Sequence, residues 1–200
     1  MGHHLKTVKY IALEGVDGVG KSTLAAMLAE ALSATLTREP GSIHIALKVR
    51  DLILARDNLD RLTVELLLHA DRNEHTKWVD EELDGGRSVV SDRSFLSGIA
   101  YGMANGLEVR QLFDLTSASV KVYPDIIFMV SSDKAEQNVL DRGKWRRTRE
   151  ERGPEFTHKL TTCFDAAIGG IELICSTKVV KIDISNETPQ ATLSRMLTLL

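Results

Sequence analysis

Cysteine is nearly missing from this chain: Cys163 and Cys175 are the only two among 200 residues, and their spacing fits no metal-ligating motif. A disulfide scaffold is excluded, and two free thiols suit a reducing cytoplasm, which is the expected location. No apolar run approaches the roughly 20 residues that a membrane-crossing helix needs, and nothing reads as a signal peptide. An excess of one charge is missing too: 25 basic residues are interspersed with 28 acidic ones, a net charge of −3. There is no broad basic field for nucleic acid or an anionic membrane surface, so any anion must be held by local groups.

What is present is enough apolar content, 43% of 200 residues, to bury one core, and one domain over 1–200 is expected, with 1–7 an extension or expression remnant. Apolar runs of strand length, VKYIAL, ATLT, SVVS, DIIFMV and KVVKIDI, alternate with helical patterns at 21–32, 42–55, 62–83, up to 116, 133–142, 154–174 and 189–200. That alternation predicts an α/β fold: a five-stranded parallel sheet with helices on both faces. Breakers fall between elements, with Gly85 and Gly86 closing the long helix, Pro124 before a strand and Pro189 in a first helical turn.

The stretch EGVDGVGKST follows the first strand and opens the first helix. Gly15, Gly20, Lys21 and Ser22 fit G-x-x-x-x-G-K-[ST], in the strand-loop-helix setting that the motif requires. Glycines let successive N–H groups turn inward, and those donors with the helix N-terminus hold phosphate oxygens. Residues Gly15, Val16, Asp17, Gly18, Val19, Gly20, Lys21, Ser22 and Thr23 are therefore predicted to bind a polyphosphate. Lys21 would reach the β- and γ-phosphates and Ser22 would hold Mg²⁺.

Such a loop alone does not separate a kinase from a GTPase or an ATP-driven machine. The late segment IDISNET carries no N-K-x-D for guanine. Away from the loop lie Arg38 in TREPG, Arg72 in HADRNEH, Arg93 in SDRS and a basic stretch, GKWRRTREERG, at 143–153. Cations so placed suit a phosphate acceptor, which needs no catalytic base but repels the donor polyphosphate.

In EGVDGVGKST, TREPG, the helix with ADR, and SDRSFLSGIAYG, in that order, the chain resembles the thymidylate kinase family over nearly its full length. The resemblance implies a P-loop nucleoside monophosphate kinase fold and transfer of the ATP γ-phosphoryl group to dTMP, with Mg²⁺, usually in a homodimer. It implies that Asp17 lies beside the sugar 3′-hydroxyl and the acceptor phosphate, that Arg93 grips that phosphate, and that Asp92 orients hydrated Mg²⁺. Arg72 would meet the thymine edge, Tyr101 would pack on the deoxyribose, and Arg38, Pro40, Leu68, Ser97 and Gly98 would complete the dTMP side. A cis Glu39–Pro40 peptide is plausible there. The stretch 143–153 resembles the family's lid. Because Gly18 replaces an arginine found in some members, the lid is expected to bring the catalytic cation, from Arg149, Arg146 or Arg147, and Gly18→Arg is expected to compensate in part for their loss.

The departures all touch the acceptor side. Leu68 stands where an aromatic ring commonly stacks on thymine, Ser42 where a second glycine is common, and Gly98 where a larger polar residue often reaches the base. His69, adjacent to Leu68, reads as structural. A relaxed deoxynucleoside monophosphate kinase is the alternative that Leu68 raises, and a nucleotide-binding regulatory module that has lost transfer is another.

Overall fold

A computed structural model describes residues 8–40, 49, 51–52, 59–141 and 154–200. The lid stretch at 143–153, and most of the helix expected at 42–55, lie outside the described residues. In chain order the elements are β1 (Tyr10–Glu14), α1 (Lys21–Leu32), β2 (Thr35–Arg38), α2 (Arg61–Asp84), β3 (Val89–Asp92), α3 (Phe95–Ala104) and α4 (Val109–Ser119). There follow β4 (Ile126–Ser131), α5 (Ala135–Asp141), α6 (Pro154–Gly170), β5 (Lys178–Asp183) and α7 (Pro189–Leu199).

The five strands form one sheet in the order β2-β3-β1-β4-β5, and every pairing is parallel. β1 lies at the centre, buried along its whole length, and its alternation divides the core. Ile11 and Leu13 point toward Leu24 and Leu28 of α1 and Met196 of α7. Ala12 points the other way, into a cluster of Phe95, Leu96 and Ile99 of α3, Leu112 of α4 and Phe164 of α6. Both faces are therefore covered, the condition under which a parallel sheet with apolar strands is stable.

The helix starts follow ordinary capping chemistry: Asp60 accepts from the N–H groups of Leu62 and Thr63, and Thr188 accepts from Ala191 ahead of a first-turn Pro189. α2 departs from the usual pattern, because its buried residues are Glu65, His69, Asp71, Arg72, His75, Thr76 and Val79. Polar bonds tie this helix to the end of α4: Asn73 donates to the Ser119 carbonyl, and Thr76 accepts from the Lys121 N–H.

After β1 the chain crosses toward β2, and after β3 it passes to the other side toward β4. The loops leaving β1 and β3 thus open a crevice where the connections diverge, the usual ligand position in open α/β sheets. Leu13 of β1 is in register with Asp92 of β3, and Arg38 of β2 with the same Asp92. The phosphate-loop, SDRS and TREP segments are brought side by side by this register.

Candidate active site

The loop from Gly15 to Gly20 is shaped by backbone that side chains would obstruct. Gly15 has φ 141° and Gly18 φ 86°, and a Cβ on them would lie 2.3 Å from the Val130 carbonyl oxygen and 2.1 Å from that of Ala135. The Gly18 carbonyl also accepts from Asn138 Nδ2 of α5 at 2.9 Å. The loop is therefore pressed against β4 and α5, and a side chain at 18, as in Gly18→Arg, would have to displace the Ala135 carbonyl at the start of α5. Val19 anchors the loop in the core, while Thr23 is exposed.

Lys21 is buried, and its ammonium donates to the Val16 carbonyl at 2.8 Å, with Asp17 Oδ1 at 3.9 Å. Burial, and then repulsion from Arg93, push the Lys21 pKa down to about 8 against the attraction of Asp17, Asp92 and Glu14. Ser22 Oγ donates to Asp92 Oδ2 at 2.5 Å, and Asp92 Oδ1 is buried without a hydrogen-bond partner among the described residues. A hydroxyl beside a carboxylate with one unsatisfied oxygen is a hard-oxygen donor set suited to Mg²⁺, an ion usually held by one or two protein ligands plus phosphate and water.

Arg93 follows Asp92 with φ 76°, in the left-handed region that non-glycine residues occupy only when their surroundings fix them. The surroundings do so: the Arg93 N–H donates to the Leu13 carbonyl at 2.9 Å, and Ser91 Oγ donates to the Arg93 carbonyl at 2.6 Å. Its guanidinium donates to Asp17 Oδ1 at 2.5 Å, Ser97 Oγ at 2.9 Å and Tyr101 Oη at 3.3 Å, and lies 5.2 Å from the centre of the Tyr101 ring. Tyr101 is in turn held by the rings of Phe156 and Phe164. The structure therefore assembles Asp17, Lys21, Ser22, Asp92, Arg93, Ser97 and Tyr101 in one place.

Arg72 is not on the helix surface. It is 4% exposed, and its Nε donates to Glu39 Oε2 at 2.9 Å. Glu39 also hydrogen-bonds His75, which bonds Thr37 on its other ring nitrogen. Burial would push the Glu39 carboxyl up, but Arg72 and His75 outweigh it and hold it below its usual range. A Cβ on Gly98 would lie 2.5 Å from an Arg72 Nη atom, so Gly98 makes room for that guanidinium instead of lacking a polar contact. Ser97 and Gly98 are consecutive in α3, one bonded to Arg93 and the other packed against Arg72.

Leu68, half-buried, sits one helical turn before Arg72 on the same side of α2. His69 is buried beside Arg72, between Ser119 Oγ at 2.7 Å and Glu65 at 3.3 Å, in the structural role expected of it. Arg38 is exposed at the end of β2, and the Glu39–Pro40 peptide is cis. Arg146, Arg147 and Arg149 lie outside the described residues.

Two site residues escape the motif reading. Glu39 gives no signal beyond its place in TREPG. Glu14 does give one, as a carboxylate closing the apolar run YIAL: it is 0% exposed and accepts from the N–H and hydroxyl groups of both Ser94 and Ser97. Burial pushes its pKa up, against the pull of Arg93 and the serine hydrogen bonds.

A family model described as thymidylate kinase matches residues 13–190. The chain is 36% identical over 156 residues to a probable thymidylate kinase of Thermococcus kodakarensis, covering 71% of this chain and 74% of that protein. It is 36% identical over 160 residues to the thymidylate kinase of Campylobacter curvus, covering 77% and 82%. Among solved structures, the thymidylate kinase of Ehrlichia chaffeensis is similar with a TM-score of 0.76 and 28% identity, over 96% of this chain and 98% of that one. The P-loop nucleoside monophosphate kinase fold expected from the sequence is the one found.

Proposed function

This chain belongs to the thymidylate kinase family, and we propose that it divides its reaction between a donor loop at Gly15–Thr23 and an acceptor wall on Glu39, Arg72, Arg93, Ser97 and Tyr101. The reaction is ATP-dependent phosphorylation of dTMP to dTDP. One observation carries the division: Asp17 Oδ1 lies 2.5 Å from Arg93 and 3.9 Å from Lys21, so the cation of each side meets at a single atom. Reacting phosphates arriving there lie between both.

The difficulty is electrostatic. Two phosphate charges at roughly 4 Å repel by about 4 kcal/mol per pair at an effective dielectric near 20, and the acceptor brings its own nucleophile. The chain therefore supplies position and positive charge more than covalent chemistry. Backbone N–H groups of the loop and the α1 N-terminus hold the donor phosphates, with Lys21 steered by the Val16 carbonyl. Arg93 takes the acceptor phosphate while Asp17 keeps its guanidinium toward Lys21. Arg72, fixed by Glu39, offers its remaining N–H groups to the base carbonyl edge, and Tyr101 closes the sugar side. Ser22 and Asp92 would hold Mg²⁺, which when bound neutralises phosphate charge.

The lid arginines at 146, 147 and 149 remain the proposed source of a further cation in cis. The proposal extends to a homodimer working in the cytoplasm; no helix among the described residues is long and apolar enough to cross a membrane. Lys21, Asp92 and Arg93 together in one crevice weigh against a silent binding module. The test is a coupled assay with ATP and Mg²⁺ across dTMP, dUMP, dCMP, dGMP and dAMP. dTMP is expected to be fastest; equal rates with a purine acceptor would favour the relaxed enzyme and sink the assignment.

A further inference from the structure

We propose that Glu14 is the positioning residue for Arg93, acting through the hydroxyl of Ser97. The inference rests on Arg93 being the arginine that receives the acceptor phosphate.

Glu14 ends β1, in the middle of the sheet, and its described partners are neutral donors. Ser94 N–H and Oγ–H reach Oε1 at 2.8 Å each, Ser97 N–H reaches Oε1 at 3.1 Å, and Ser97 Oγ–H reaches Oε2 at 2.5 Å. The two N–H groups belong to the opening of α3, where i−4 partners are absent, and the Ser97 N–H is otherwise met only by the Ser94 carbonyl at 3.2 Å among the described residues. The carboxylate therefore caps α3 from another element and ties the turn carrying Arg93 to the strand that leads into the phosphate loop.

The hydroxyl count goes further. Ser97 has one hydroxyl proton, and Glu14 takes it. Toward Arg93 Nη1, at 2.9 Å, Ser97 presents only lone pairs. Glu14 thus sets the polarity of the chain Glu14, Ser97, Arg93, Asp17, in which every donor faces an acceptor. An amide of the same size cannot do this. Glutamine at 14 would turn an NH₂ group toward one of the converging donors, and a Ser97 hydroxyl that accepted from it as well as from Arg93 would lose the acceptor that Glu14 gives its proton.

The test compares Glu14→Gln, Ser97→Ala and their double variant, with Arg93→Ala as reference, by steady-state kinetics, ATP titration and thermal melting. Glu14→Gln is expected to raise KM for dTMP about 10- to 100-fold, the range for a hydrogen bond to a charged group, with ATP affinity within about twofold. Ser97→Ala should cost about tenfold alone and roughly threefold or less on top of Glu14→Gln, because the same chain is already broken. A folded Glu14→Gln enzyme with unchanged KM for dTMP, or with ATP and dTMP weakened equally, overturns the inference. Should Glu14→Gln not fold, Ser97→Ala decides: a raised KM for dTMP with ATP affinity kept supports the chain, and no change overturns it. If Arg93→Ala itself leaves KM for dTMP untouched, the acceptor role of Arg93 falls and this inference with it. If Arg93→Ala raises that KM and Glu14→Gln does not, only the positioning role falls.

Discussion

The phosphate loop and the acceptor wall leave neighbouring strands, yet one is shaped by backbone and the other by side chains. On the donor side, Gly15 and Gly18 press bare main chain against the carbonyls of Val130 and Ala135, and the ligating groups are local in sequence. On the acceptor side, Arg72 is held by Glu39 from 33 positions away, and Arg93 by Asp17 from 76. A backbone cradle suits any polyphosphate, whereas a wall of locked side chains selects one acceptor. The two regions should therefore fail separately when changed one at a time.

The largest separation is expected from Arg93→Ala. Its guanidinium lies where acceptor charge must be met, and loss of one such donor costs about 10³-fold in kcat/KM for dTMP. ATP affinity, measured by titration, should stay within a few-fold. A fall in ATP affinity with dTMP untouched would show that the division is drawn in the wrong place.

The opposite break is Gly18→Ala. A left-handed φ costs an alanine about 1–2 kcal/mol, and the clash at the Ala135 oxygen adds to it. ATP affinity should fall by roughly 100-fold, or about 2.7 kcal/mol, while dTMP binding to the ATP-free enzyme changes little. Gly18→Arg should be no better and should not compensate for lid variants. Equal losses for both nucleotides would mean that the loop also shapes the acceptor wall.

These two regions also differ in how far the sequence discloses them. The five strands, their parallel alternation with helices and the phosphate loop are all legible because each depends on local pattern: an apolar run, a glycine spacing, a cap. Arg72 and Arg93 are legible only through the order of motifs in a known family. Their supports are less so: nothing local in TREPG announces that Glu39 will meet Arg72 and His75, and Glu14, though marked as a carboxylate closing an apolar run, does not show what it will meet until the sheet places it under α3. Gly98 shows the same limit: it reads as a missing contact until Arg72 is seen lying over it.

pH should probe the two regions in separate windows, the donor side above about pH 8 and the acceptor side in acid. Lys21, buried, titrates at about 8 instead of 10.5, so the ATP-free enzyme loses the ammonium above about pH 8. ATP affinity should then decline toward tenfold per pH unit above 8, with protons taken up on binding. In stability terms the folded state holds fewer protons than the unfolded one between about 8 and 10.5, so the penalty of burying this lysine charged is relieved as pH rises through that window. Glu39 is depressed below 4.5: its stabilisation is present above 4.5 and is lost as pH falls through the lowered value. Glu14, raised above 4.5 by burial, acts with the opposite sign. The contribution of Glu39 is therefore read as the difference between wild type and Glu39→Gln, which should melt more nearly alike in acid than at neutral pH. An ATP affinity flat from pH 7 to 9.5 would contradict the Lys21 reading.

The smallest expected effect tests the least crowded part of the acceptor wall. Leu68 is half-buried one turn before Arg72, so a ring placed there has space on its solvent side and lies over the same face that Arg72 addresses. Aromatic contact contributes about 0.5–1.5 kcal/mol beyond area. Leu68→Phe should thus lower KM for dTMP roughly threefold and leave ATP affinity unchanged, with no gain for dGMP or dAMP, since a stacked ring adds attraction without widening the site. A gain shared by purines would mean that base choice is set by area alone and that Arg72 does not read the edge. No gain for any acceptor would place the base away from α2, and the acceptor wall would then end at Arg93 and Tyr101.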